Sequence, residues 1–128
     1  MIIDSSVVIA LVLDEPEADR IQAALLGSER ARLPAPAYVE CCLVLGGRFG
    51  EAGVARLDAF LLQYRLAVIT FTDAHARAAR DAFLAFGKSR HPAALNFGDC
   101  MSYAVARVEG LPLLFVGDDF AHTDIPRA

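Results

Sequence analysis

The sequence predicts an α/β domain of three layers, with helices on both faces of a mostly parallel central sheet. Short apolar runs at residues 1–3, 67–71 and 113–116 have the length and composition of buried strands. The longer segments between them carry helix-type periodicity and helix-start residues. Strand and helix signals alternate along the chain without an internal repeat or a low-complexity linker, which favours crossover connections and parallel pairing.

With 128 residues, the chain is long enough for one compact domain spanning 1–128 with a real core. A hydrophobic content of 55% and a charged content of 22% exclude a disordered tail and a coiled coil. No apolar run approaches the roughly 18 residues of a membrane span, so no membrane association is expected. Met1-Ile2-Ile3-Asp4 lacks the basic region and cleavage site of a secretory signal and reads as core. Cys41, Cys42 and Cys100 form no disulfide framework and no C-x-x-C zinc spacing; buried thiols in a cytoplasmic protein are expected.

The first strand ends at Asp4, which has two readings. It is an N-cap of the helix that follows, or a carboxylate at the carboxyl end of a strand, where open α/β sheets place ligands. Ser5 and Ser6 follow, and residues 7–13 read as a helix by length and position despite their β-branched members. Asp14-Glu15-Pro16-Glu17 reads as the acidic opening of a second helix, supported by Ile21, Ala24 and Leu25 and ended by Gly27. Residues 32–34 are expected as a brief edge strand. Pro36 opens a helix that is apolar almost all round and therefore buried, with a break at Gly46-Gly47; Glu40 is its one charge.

Residues 50–64 form an amphipathic pattern, with Val54, Leu57, Phe60, Leu61 and Tyr64 on one stripe. Residues 67–71 give the clearest strand signal. Thr72 or Asp73 caps a helix to about Phe86, with Ala76, Ala79, Phe83 and Phe86 near one face. The loop Gly87-Lys88-Ser89-Arg90-His91-Pro92 leads to Asn96, a cap for a helix that ends before Gly110, with Pro112 as a stop. Residues 113–116 are a buried strand, turned at Gly117, and Ile125-Pro126 adds a short edge strand. His75, His91 and His122 show no paired ligand spacing and are expected on the surface or in loops.

Acids stand where they are costly or conspicuous: Asp4 after a strand, Glu40 in an apolar helix, Asp99 in the first turn of a helix, and Asp118-Asp119 after the last strand. A dry charge among residues such as those around Asp99 costs several kcal/mol, so it is a cap, a solvated side chain or a group that meets a cation. Strand ends on one edge of a parallel sheet converge, and clustered carboxylates cannot all stay ionised without a cation. Oxygen donors without paired His or Cys suit Mg²⁺, with Mn²⁺ as a substitute, and not zinc. Such an ion serves displacement at phosphorus. Of the adjacent pair, Asp119 is preferred over Asp118, because an anchored Phe120 would hold it more rigidly.

The formal charge of −4 argues against a nonspecific nucleic-acid coat. Residues 77–91 nevertheless carry Arg77, Arg80, Lys88, Arg90 and His91 against Asp81 alone, and Lys88 is the chain's sole lysine. This is either a solvated face or a phosphate guide in which Arg80, Lys88 and Arg90 lead phosphates toward the acids.

Met1-Ile2-Ile3-Asp4-Ser5-Ser6, Tyr38-Val39-Glu40, Gly87-Lys88-Ser89-Arg90-His91, Leu95-Asn96-Phe97-Gly98-Asp99-Cys100, Leu113-Leu114-Phe115, Gly117-Asp118-Asp119-Phe120 and Thr123-Asp124-Ile125 occur here in one order. Together they resemble the PIN-domain ribonucleases, most closely the VapC-like toxins of bacterial toxin–antitoxin pairs. The resemblance covers the whole chain. It implies a PIN-like α/β/α fold and a Mg²⁺-dependent endoribonuclease in which Asp4, Glu40, Asp99 and one of Asp118 and Asp119 hold the metal. Ser6 resembles the family's hydroxyl beside that cluster, and Asn96 supports it as the cap of the Asp99 helix. A homodimer and a small VapB-like antitoxin are also implied, with structured RNA such as tRNA as the leading substrate by analogy. Two competing readings are a catalytically silent PIN-like binding protein and a receiver-like phosphoacceptor module. The latter would want a lysine just after a late strand, whereas Lys88 precedes the Asp99 helix.

Overall fold

The computed structural model describes residues 1–28 and 30–128. Among them, four strands pair in parallel in the order β3-β2-β1-β4. They are β1 (Ile2–Ile3), β2 (Arg32–Pro34), β3 (Ala67–Ile69) and β4 (Leu113–Leu114). Ile2 pairs with Arg32 on one side and Leu113 on the other. The chain therefore leaves β1 toward β2 and β3 and returns on the opposite side as β4. That reversal opens a crevice between the carboxyl ends of β1 and β4, where α/β sheets bind ligands.

Among the described residues, six helices cover the sheet: α1 (Ser5–Val12), α2 (Ala18–Leu26), α3 (Ala35–Phe49), α4 (Glu51–Gln63), α5 (Asp73–Phe86) and α6 (Phe97–Glu109). Alternation along the strands assigns the layers. Ile3, Leu33 and Leu114 pack with Val7, Val8, Ile21, Cys41, Leu45, Leu57 and Phe60 from α1 to α4. Ile2, Leu113 and Phe115 pack with Ala79, Ala82, Tyr103 and Val105 from α5 and α6. Both faces of β1, β2 and β4 are thus covered, as parallel sheets require, while β3 stays exposed. No helix is long and apolar enough to cross a membrane among the described residues.

Several sequence expectations are corrected. Segment 32–34 is an interior strand, flanked by β3 and β1, and the sheet edge on that side is β3, whose Val68 is exposed. The 14–17 segment precedes α2 instead of opening it: Asp14 takes a left-handed φ of 54°, and the helix begins at Ala18. Helix α3 runs through Gly46-Gly47 and stops only at Gly50. It is also not buried all round. Ala37, Cys41 and Leu45 line its inner face, while Val39, Leu43 and Val44 are exposed. The expected strand at Ile125-Pro126 reduces to a single bridge between Leu113 and Arg127.

Helix α5 buries His75, Ala79 and Ala82; Phe83, expected on that stripe, is exposed. His75 is a core residue, not a surface one. Its Nδ1 accepts the Thr72 N–H at 3.0 Å, which completes a capping box at the start of α5. Its Nε2 lies 3.4 Å from Glu109, which also pairs with Arg32 at 3.3 Å. Cys41, Cys42 and Cys100 are free thiols.

Candidate active site

Asp4 follows β1 directly and is only 3% exposed. It caps α1, as one sequence reading expected, and it stands at the carboxyl end of β1. Its Oδ2 caps α1, accepting the Ser6 N–H at 3.0 Å and the Ser6 hydroxyl at 2.6 Å. Its Oδ1 is buried with no hydrogen-bond partner among the described residues. A buried carboxylate oxygen left bare is costly and points to an absent cationic or donor partner. The Ser6 hydroxyl also accepts the Val116 N–H at 3.1 Å, so it ties Asp4 to the chain leaving β4.

Asp99 is also held through one of its oxygens. Asn96 is the N-cap of α6, and the pair forms a reciprocal capping box: the Asn96 N–H donates to Asp99 Oδ2 at 2.8 Å, and the Asp99 N–H to Asn96 Oδ1 at 2.9 Å. Glu40 approaches from α3. A Cβ on Gly98 would lie 2.7 Å from Glu40 Oε2, so the glycine between the α6 cap and Asp99 gives room for that carboxylate. Burial raises the Asp99 carboxyl from 3.8 to about 6. The Asn96 N–H opposes the rise, and the charges of Asp4, Asp119 and Glu40 add to it. Glu40 is raised as well, first by burial, against a Ser5 hydroxyl contact and with repulsion from Asp4.

The last acids sit after β4. Gly117 turns the chain with a φ of 88°, and a 3-10 turn covers Asp119–His122. Phe120 is buried, its ring 5.0 Å from that of Phe115, and anchors this turn in the core. Asp119 lines a cavity of about 320 Å³ together with Asp4, Ser5, Ser6, Glu40, Asn96 and Asp99. Asp118 does not. Glu15 also lines that cavity, an acid that sequence reasoning assigned to a helix start. Only the left-handed turn at Asp14 directs it there, and nothing in the local pattern signals such a turn.

Among the described residues, no three of these side chains are already gathered closely enough to enclose an ion. The carboxylates ring one cavity without closing on one point, as mutual repulsion of like charges dictates. The bare Asp4 Oδ1 and the all-oxygen donor set nevertheless fit a hard divalent cation.

The basic segment lies on a neighbouring surface. Arg80 and Lys88 border an apolar cavity of about 560 Å³ between α5 and α6, lined also by Phe71, Phe83, Leu95, Asn96, Phe97 and Met101. Arg80 is paired with Asp81 at 2.7 Å, and Arg90 lies over the Phe83 ring at 5.2 Å. Asn96 borders both this cavity and the acidic one, so the two surfaces adjoin.

Residues 1–126 match the family model described as the PIN domain. Ribonuclease VapC36 of Mycobacterium tuberculosis is 46% identical over 126 residues, covering 98% of this chain and 91% of that protein. Ribonuclease VapC30 of the same organism is 43% identical over 125 residues, covering 98% and 95%. The fold is similar to that of M. tuberculosis VapC20, described as a sarcin-ricin loop cleaving toxin, with a TM-score of 0.79 at 17% identity over 99% of this chain and 97% of that one. DNA-bound VapBC from Salmonella typhimurium gives a TM-score of 0.79 at 18% identity, covering 98% and 93%. The acids at a sheet switch point, the parallel topology and the match over nearly the whole chain agree, and the chain belongs to the PIN domain family.

Proposed function

We propose that this chain is a divalent-metal-dependent endoribonuclease and the toxin of a toxin–antitoxin pair. The observation that carries the reading is the cavity at the β1/β4 switch point, into which four separate segments bring Asp4, Glu40, Asp99 and Asp119, with Asp4 Oδ1 bare. The names of the relatives, 43% and 46% identical over almost the full chain, support the ribonuclease assignment and disfavour the receiver-like and silent alternatives.

Asp4, Glu40, Asp99 and Asp119 would hold Mg²⁺, with Mn²⁺ able to replace it. When bound, the ion supplies charge stabilisation at the phosphodiester and an acidified water for attack. The protein's own residues position the groups. Ser6 fixes Asp4 through Oδ2, which keeps Oδ1 available, and Asn96 fixes Asp99 in the same manner. Lys88 and Arg90, with Arg80 at the groove, attract phosphates that the acids alone would repel. Structured RNA such as tRNA is the favoured substrate by analogy. A small VapB-like antitoxin is the proposed inhibitor, placing a basic side chain, preferably Arg, among the acids, and a homodimer is the proposed assembly.

Incubation with a random-sequence RNA pool and with tRNA, in Mg²⁺ and in excess chelator, tests the reading. Cleavage in Mg²⁺ that is lost in chelator and in Asp4→Asn is expected. No cleavage, or cleavage indifferent to chelator, would refute it.

A further inference from the structure

We propose that the exposed ring of Phe97 is a stacking platform for the base of a nucleotide flanking the cleaved phosphate. It would thereby help to select where the RNA is cut. The inference rests on the ribonuclease reading and extends it to a residue outside the acid cluster.

Phe97 is 79% exposed at the first position of α6. Nothing about a helix start calls for a phenylalanine, and no other aromatic ring packs on it among the described residues. Its neighbours in sequence both touch the acids. On one side the Asn96 N–H holds Asp99 Oδ2; on the other Gly98 faces the Glu40 carboxylate. The ring itself does not line the acidic cavity, but it adjoins Asn96, which does. It divides two concave surfaces. One contains Phe71, Phe83 and Leu95 with Arg80 and Lys88; the other contains Pro36, Val39, Leu43 and Glu40.

Charge selects the occupant. Lys88 makes no ion pair among the described residues, so the groove offers an uncommitted cation beside an unpaired aromatic face. Proteins that hold single-stranded nucleic acid use this combination: cations follow the backbone while aromatic rings take the bases. Stacking tolerates different bases, since each has a π-face, so Phe97 would fix the local register of the strand and not read its sequence by hydrogen bonds. A strand whose phosphate enters the acidic cavity and whose adjoining base lies on Phe97 would pass Lys88 as it leaves.

The test uses the full chain and a short single-stranded RNA taken from those the wild type cuts, with the cut site mapped. Phe97→Tyr, Phe97→Leu and Phe97→Ala are compared by kcat/KM, with thermal melts and gel filtration confirming the fold and assembly. Tyr should keep activity, whereas Leu and Ala should each lose about tenfold, the scale of one lost base–aromatic stack. An RNA made abasic beside the cut should cost the wild type a similar factor and cost Phe97→Leu no further loss. Full activity in Phe97→Leu, or independent multiplying losses from Leu and the abasic nucleotide, would overturn the stacking role while leaving the ribonuclease reading intact. A changed oligomeric state with unchanged cleavage would assign the ring to an interface between copies instead, and also overturns it. If the wild type cuts no RNA at all, the ribonuclease reading fails and this inference fails with it.

Discussion

Asp99→Asn makes the electrostatics of the acidic cavity measurable without any turnover. The Asp99 carboxyl is raised from 3.8 to about 6, first by burial. A group whose folded value lies above its unfolded one withdraws stability as pH rises from the lower value through the higher. At about 1.4 kcal/mol per pH unit, the ionised wild-type side chain costs the fold about 3 kcal/mol at neutral pH. Solvent at the cavity mouth screens part of this. The amide can still accept the Asn96 N–H, and the preference of that N–H for the ionised form is already contained in the net rise. With that screening, the net expectation in chelator at pH 7.5 is a variant more stable than wild type by about 1–2 kcal/mol, or about 5 °C in Tm for a chain of this size. The gap should shrink below pH 6 and vanish near pH 4, where wild type is protonated as well. Thermal melts by circular dichroism at pH 4, 5, 6 and 7.5 measure it. A variant less stable than wild type at pH 7.5, or a gap that does not change with pH, would refute the reasoning.

Three other substitutions probe the remaining parts. Ser6→Ala removes a donor to Asp4 Oδ2 and the acceptor of the Val116 N–H. It should cost about 1–3 kcal/mol by denaturant melts and also lower cleavage, and wild-type stability would contradict this. Asp119→Asn should weaken Mn²⁺ binding in titration calorimetry far more than Asp118→Asn, because only Asp119 lines the cavity; the reverse ranking would move the fourth ligand to Asp118. Lys88→Ala with Arg90→Ala should lower the log–log salt slope of RNA binding by up to about 2, and an unchanged slope would make the segment a solvated face.

The sequence was most legible where one residue type performs one local task. Asn96, three positions before Asp99, is a capping pattern, and Gly110 with Pro112 marks the end of α6; the structure has both. Continuous burial of β1 and β4 was also predictable, because a parallel sheet buries both faces. Tertiary placement was less so. Segment 32–34 looks like an edge by length, yet a three-residue strand can lie inside a sheet when it is covered by helices on both sides. Helix α5 offers two apolar stripes three or four residues apart, and the buried one includes His75, whose ring nitrogen is satisfied by the Thr72 cap. The apolar outer face of α3, with Val39 and Leu43 exposed, defeats any rule that equates apolar with buried. At the candidate site, the types and order of the acids were readable. That Asp4 would both cap α1 and keep a bare oxygen depends on the Ser6 hydroxyl bridging to Val116 N–H, 110 residues away.

The proposed metal site requires Asp4 Oδ1 to meet a divalent cation in the cavity it shares with Glu40, Asp99 and Asp119. Anomalous scattering from crystals soaked in Mn²⁺ should show a peak within metal–oxygen bonding distance of Asp4 Oδ1, lost in Asp4→Asn. A saturated soak with no peak in the cavity, or a peak bound elsewhere and away from Asp4, would contradict it.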